Sequence, residues 1–230
     1  MTRVVVPVAV LANEAVSFGL MNLLGTMDVT VLGYHVLPEQ TPPDQARLQY
    51  EDRANEALED ITEEFREAGG AADYRLVFTG DRAKSIRRVA DEVEARAFAI
   101  TGATGTVDRL LVSLSGDVSA DRILDFVIEL VDDREIGVTL LRVAGDEEST
   151  SLTDAQARLA DAGIDVRTVL AADASPLDAL LAAVPDHDAI VMGEQAPSLQ
   201  SFLLGDVTDR VAAGSVGPVL VVRQPASKEE

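Results

Sequence analysis

The residues able to hold a ligand gather in the last fifth of the chain. Ala189 to Met192 is a short apolar run closed by Gly193. Such a run reads as a strand buried on both faces. After a polar loop and Phe202-Leu203-Leu204 comes Gly205-Asp206-Val207-Thr208. Asp206 suits the N-cap of a helix over Val207 to Ala213, and Gly214 with Gly217-Pro218 ends that helix. Val219 to Val222 is a second buried strand. A strand, a glycine loop, a helix N-terminus and a further parallel strand make a cradle for an anion, because the first helical turn presents free N–H groups and partial positive charge. Asp206 opposes that use. Its carboxylate satisfies the same N–H groups from within the chain and sets a negative charge where a phosphate would approach. The competing reading is that Asp206 caps the helix and does nothing else.

A second cluster follows the apolar run Leu110-Leu111-Val112-Ser113. Ser115-Gly116-Asp117-Val118-Ser119 is a partial match to the PP-loop of ATP pyrophosphatases, Ser-Gly-Gly-x-Asp-Ser, but one glycine is missing and the Asp is displaced. The simpler reading of Ser115 and Gly116 is a small polar turn. There is no Walker A segment and no dinucleotide glycine motif. His35 and His187 are the only histidines, and no His pair has metal-ligand spacing. With no cysteine, a disulfide, a thiolate metal site and a thiol nucleophile are all excluded. No Ser-His-Asp or paired-carboxylate arrangement can be nominated.

The elements that must carry these residues come in two rounds. Val4 to Val10 and Val29 to Val36 read as strands, with helical spacing over Glu14 to Leu24 between them. Asp44 to Ala68 is a long charged helix with Ala54, Leu58, Ile61 and Phe65 on one face. Tyr74 to Phe78, a helix over Ala83 to Ala95, and Phe98 to Thr101 follow, closed by Gly102-Ala103-Thr104-Gly105. The order then restarts. Leu110 to Ser113 parallels Val4 to Pro7, Ser119 to Val131 is a helix, and Val138 to Val143 parallels Val31 to Val36. Leu152 to Ala162 is a shorter helix, and Asp165 to Val169 and Ala189 to Gly193 parallel Asp73 to Val77 and Phe98 to Gly102. Internal similarity of this kind means two copies of one supersecondary unit. Alternating strands and helices predict an α/β fold with parallel sheets, doubly wound, helices on both faces. The expected units are 1–107 and 108–224, with a polar tail at 225–230. The first unit lacks the last helix and strand. Its sheet would end on an exposed edge, so the two units are expected to meet with Val219 to Val222 at the junction.

The carboxyl-terminal stretch resembles the end of UspA-type universal stress protein domains: strand, Gly-x-x-Gly, spacer, Gly-Ser or Gly-Thr, helix, and Pro-Val-Leu-Val-Val. Gly193, Ala196, Gly205, Asp206 and Pro218 to Val222 are the matching positions. Pro218 to Val222 matches closely. Ala196 replaces a glycine, the spacer is one residue short, and Asp206 replaces the Ser or Thr. The resemblance extends over nearly the whole chain as a tandem pair. It implies a nucleotide site at Ser115, Gly116, Gly193, Gly205, Asp206, Val207 and Thr208, with Gly102 and Gly105 as the degenerate loop of the first copy. It also implies an adenine-contacting Asp after the first strand of each copy. The matching positions are Ser115 in the second copy and Ala9 or Val10 in the first, so the carboxylate is gone from both.

Composition sets the remaining bounds. The formal net charge is −21, from 40 acidic and 19 basic residues, and Lys84 and Lys228 are the only lysines. This balance resembles proteins from cells that hold molar salt, where charges are screened within roughly 3 Å. An acidic mesophilic protein is the alternative. Such a surface disfavours nucleic acid. The apolar start reads as a strand and not a signal peptide, no apolar run is long enough to span a membrane, and a cytoplasmic protein is expected. The expected function is stress response or regulation through protein contacts, without catalysis, an internal pseudo-dimer that could dimerise further. ATP is the one cofactor left open, bound weakly or not at all. The alternatives are a nucleotide-sensing module, for example for a membrane transporter, and an ATP-using enzyme of the PP-loop type.

Overall fold

The computed structural model describes residues 1–12, 14–37, 43–115, 118–143, 151–172, 174–194 and 217–224. The first half runs β1 (Arg3–Val8), α1 (Phe18–Leu23), β2 (Asp28–Val36), α2 (Pro43–Glu67), β3 (Ala71–Thr79), α3 (Arg82–Glu92) and β4 (Ala97–Ile100). The second half runs β5 (Arg109–Ser113), α4 (Ala120–Val131), β6 (Gly137–Val143), α5 (Leu152–Asp161), β7 (Val166–Ala171), α6 (Pro176–Ala183), β8 (Ala189–Gly193) and β9 (Val219–Val222).

Which face each strand residue takes follows from the valine runs. In β1, Val4, Val6 and Val8 turn to one face and Val5 to the other, as the two-residue period of a strand requires. The first face is covered by α1, α2, α4 and α5 through residues such as Leu20, Leu58, Phe126 and Leu159. The second is covered by α3 and α6 through Ile86, Val89 and Leu180. In α2, Ala54, Leu58 and Phe65 are buried at helical intervals, as their spacing predicts. Helix starts are fixed by side-chain caps. Ser17, Asp81, Ser151 and Ser175 accept from the amides of Leu20, Lys84, Asp154 and Asp178.

The α/β class holds, but the two expected sheets are one. The order is β3-β2-β1-β4-β9-β8-β5-β6-β7, nine strands in a single sheet. Within each half neighbouring strands are parallel. The halves join where β4 runs antiparallel to β9, with Phe98 opposite Val221. Val219 to Val222 thus lies at the junction, and it covers the β4 edge that the first half would otherwise expose. Because the join is antiparallel, the carboxyl ends of β1 and β4 point to one end of the sheet and those of β5, β8 and β9 to the other.

Two local expectations need correction. The helix expected over Glu14 to Leu24 is confined to Phe18–Leu23. Ser17 caps it, and Glu14 is held off by the end of β1, accepting from the amide of Ala9 at 2.7 Å. Helix α6 has no counterpart in the sequence reading, although Ser175-Pro176 is a start signal: Pro176 takes the first turn, where a missing N–H costs nothing. The last expected helix, Val207 to Ala213, lies outside the described residues, as does the polar tail. Among the described residues no helix is long and apolar enough to cross a membrane.

Candidate functional site

In an open α/β sheet a ligand enters the crevice at the carboxyl ends of strands where the strand order reverses. Each half has one such place. In the first half it lies beyond β1 and β4, in the second beyond β5 and β8.

The first crevice is closed by the chain itself. Glu14 accepts from the amide of Ala9, just past β1, at 2.7 Å and from Oγ1 of Thr101, just past β4, at 2.5 Å. One carboxylate therefore bridges the two strand ends. The loop with Gly102 and Gly105 rests on α1. A Cβ placed on Gly19 would stand 1.8 Å from the carbonyl oxygen of Gly105 and 2.6 Å from Cγ2 of Thr104. Gly19 is thus required by close backbone approach, and the glycine loop packs on a helix instead of standing open to an anion.

The second crevice is built from Ser115 and Gly193. Val112 pairs with Val191, so Ser115, two residues past β5, and Gly193, the last residue of β8, lie at the ends of adjacent strands. Ser115 is buried at 3% exposure, and its hydroxyl lies 3.0 Å from that of Ser113, one of the two donating to the other. Gly193 is needed for packing: a Cβ there would meet Cβ of Val118 at 2.8 Å. Gly116, Ala196, Gly205, Asp206, Val207 and Thr208 lie outside the described residues. Ser119, at the start of α4, makes no side-chain capping bond.

Charged residues around this end of the sheet escaped the motif reading. Glu194 follows Gly193, with Nε of Arg87 at 3.6 Å and Nε of Arg223 at 3.8 Å from its carboxylate. Arg223, at the end of β9, pairs with Asp91 of α3 at 2.5 Å. Arg122, in the first turn of α4, donates from Nε to the carbonyl of Arg223 at 2.6 Å. Burial lowers the pKa of Arg122, and the charges of Arg96 and Arg223 lower it further while Asp125 raises it. The available signal was a lone arginine closing an otherwise apolar strand, Val219 to Arg223. Glu14 gave less: it sat inside an apparently helical stretch.

The histidines have structural partners. His187 binds the carbonyl of Ala183 through Nδ1 at 2.7 Å and Oγ1 of Thr139 through Nε2 at 2.8 Å. His35 packs against Tyr50 and Phe78. Among the described residues no group of three or more His, Asp or Glu side chains is placed to hold a metal ion.

Residues 146–223 match the sequence model of the universal stress protein family. That stretch holds α5, β7, α6, β8 and β9, and with them the closing strand motif. A universal stress protein from Archaeoglobus fulgidus DSM 4304 has the same overall fold: TM-score 0.65, 20% identity, 96% of each chain covered. A universal stress protein family member from Burkholderia pseudomallei is 24% identical, with a TM-score of 0.37, over 52% of this chain and 97% of its own. A universal stress protein from Archaeoglobus fulgidus in complex with dAMP is 20% identical, with a TM-score of 0.33, over 50% of this chain and 96% of its own. No curated protein matches the sequence.

Proposed function

We propose that this protein is a regulatory or stress-response module of the universal stress protein type, working in the cytoplasm through protein contacts and binding ATP weakly or not at all. One observation carries the reading. Ser115 stands where the resemblance calls for an adenine-contacting carboxylate, and it is buried against Ser113. A buried Ser–Ser pair offers a base one spare hydroxyl proton at most. The bridge of Glu14 across the first crevice supports the same reading, since a carboxylate already fills the place a nucleotide would enter. The two units, 1–107 and 108–224, form an internal pseudo-dimer joined by β4 and β9. Further homodimerisation is compatible with it.

Non-enzymatic action is part of the proposal. Both histidines are engaged in packing or in hydrogen bonds to the chain. A nucleotide-sensing module is the second reading, favoured by the absence, among the described residues, of a side-chain cap at Ser119, since an uncapped helix start can receive an anion.

Calorimetric titration of ATP, with and without Mg²⁺, tests the first reading against the second. The natural protein should show no micromolar binding. The Ser115→Asp, Asp206→Ser double variant should bind more tightly than the natural protein. Micromolar binding by the natural protein would sink the first reading and favour nucleotide sensing.

A further inference from the structure

We propose that the cavity at the seam of the two halves, walled by Arg3, Arg96 and Arg122, binds a small phosphate-bearing metabolite. The antiparallel join creates the place. It sets the amino ends of β1 and β4 beside the carboxyl end of β9. Two backbone bonds and one side-chain bond then fix three arginines around it. The amide of Arg96 donates to the carbonyl of Arg3 at 2.9 Å, and the amide of Arg223 to the carbonyl of Arg96 at 2.8 Å. Nε of Arg122 donates to the carbonyl of Arg223 at 2.6 Å. The cavity measures about 670 Å³, and Thr2, Asp28 and Glu94 complete its polar walls. Ser115 and Gly193 do not line it, although Gly193 lies opposite Val222 of the same β9 end, and the inference does not rest on the ATP reading.

The charges are out of balance in a way that calls for an anion. Among the described residues no carboxylate lies within 4.0 Å of Arg3 or Arg122. Neither Nη of Arg122 has an acceptor among them. Arg96 is paired with Glu129 at 2.7 Å and Asp125 at 3.5 Å, yet its Nε is buried without a partner. What sets Arg3 and Arg122 apart is that they line one cavity with Arg96, neither with a carboxylate partner among the described residues. Planar guanidinium forks match the oxygens of a phosphate two at a time. Asp28 and Glu94 on the same walls would repel a second phosphate and accept from hydroxyls. A single phosphate on a hydroxylated body fits best. Because the arginines come from both halves, its binding would tie the halves together.

Inorganic phosphate and glycerol 3-phosphate are the probes, with potassium chloride at matched ionic strength as the reference. Calorimetry should show saturable binding of both, glycerol 3-phosphate the tighter. At 10 mM the thermal midpoint should rise by roughly 5 °C over chloride, the shift expected when ligand stands about a hundredfold above its dissociation constant. The Arg3→Gln, Arg122→Gln double variant should bind at least tenfold more weakly, while Arg53→Gln on the exposed face of α2 should bind as the natural protein does. Should the double variant not fold, Asp28→Asn with Glu94→Gln serves instead: removing the repelling walls should tighten inorganic phosphate severalfold. No saturable binding to the natural protein overturns the proposal. So does equal binding by the double variant, or no gain in the wall variant.

Discussion

Phe98 and Val221 stand opposite each other in the antiparallel ladder that joins the halves, and both are buried in the same core. The join is therefore held by side chains as well as by backbone bonds. Truncating Phe98 to Ala removes a large buried side chain at the seam, at a cost of about 3 kcal/mol. The continuous sheet predicts that this loss is felt by the whole chain. All three tyrosines, Tyr34, Tyr50 and Tyr74, lie in the first half. Urea unfolding followed by tyrosine fluorescence should thus coincide with unfolding followed by far-ultraviolet circular dichroism, in the natural protein and in Phe98→Ala. Separate transitions would mean that the halves unfold independently.

Gly193→Ala tests why that glycine is present. If its role is packing against Val118, the added methyl should destabilise the fold by about 1–3 kcal/mol, and the Gly193→Ala, Val118→Ala pair should recover part of the loss. A neutral Gly193→Ala would show that α4 can move aside.

The fold was legible where a single period decided it. The α2 face, the valine strands and the restart at Leu110 needed no partner to be read. The joining of the sheets was only half legible. An unpaired β4 edge demanded cover, but nothing local to Ala97–Ile100 or Val219–Val222 states that they pair antiparallel, since both are short apolar runs without direction. The candidate site divided in the same way. The positions of Ser115 and Gly193 followed from motif spacing. Their actual surroundings, Ser113 and Val118, depend on packing. Glu14 reads as part of a helix because the contact that gives it away, to Thr101, lies 87 residues on, and its nearer bond to the Ala9 amide leaves no mark in the residue pattern.

Glu14→Ala should destabilise the first half more than a surface change would. It strands the amide of Ala9 and the hydroxyl of Thr101, both part-buried, and an unpaired buried donor costs about 1–3 kcal/mol. Glu14→Gln keeps an acceptor and should lose less. Hydrogen exchange at Ala9 is the sensitive readout, and it should quicken in Glu14→Ala well before global unfolding. Unchanged protection would show that Glu14 does not hold the ends of β1 and β4 together.

Stability should rise with salt, and α2 explains how. Glu56, Asp60 and Glu64 are exposed and spaced four apart on that helix, as are Glu59, Glu63 and Glu67. Like charges at this spacing destabilise a helix by about 0.2–0.5 kcal/mol per pair. The formal charge of −21 adds a general repulsion. Raising salt to the molar range shrinks the screening length from about 8 Å to about 3 Å and suppresses both. Exposed ion pairs such as Arg158 with Asp121 weaken as well, but pairs of that kind contribute about 0–1 kcal/mol, so repulsion dominates the balance. The thermal midpoint should therefore climb between 0.2 M and 2 M potassium chloride. Asp60→Lys turns two repulsions, with Glu56 and Glu64, into attractions. It should stabilise by about 1 kcal/mol at the lower salt and by much less at the higher. A midpoint that does not move with salt, or an Asp60→Lys gain of equal size at both concentrations, would count against repulsion as the cause.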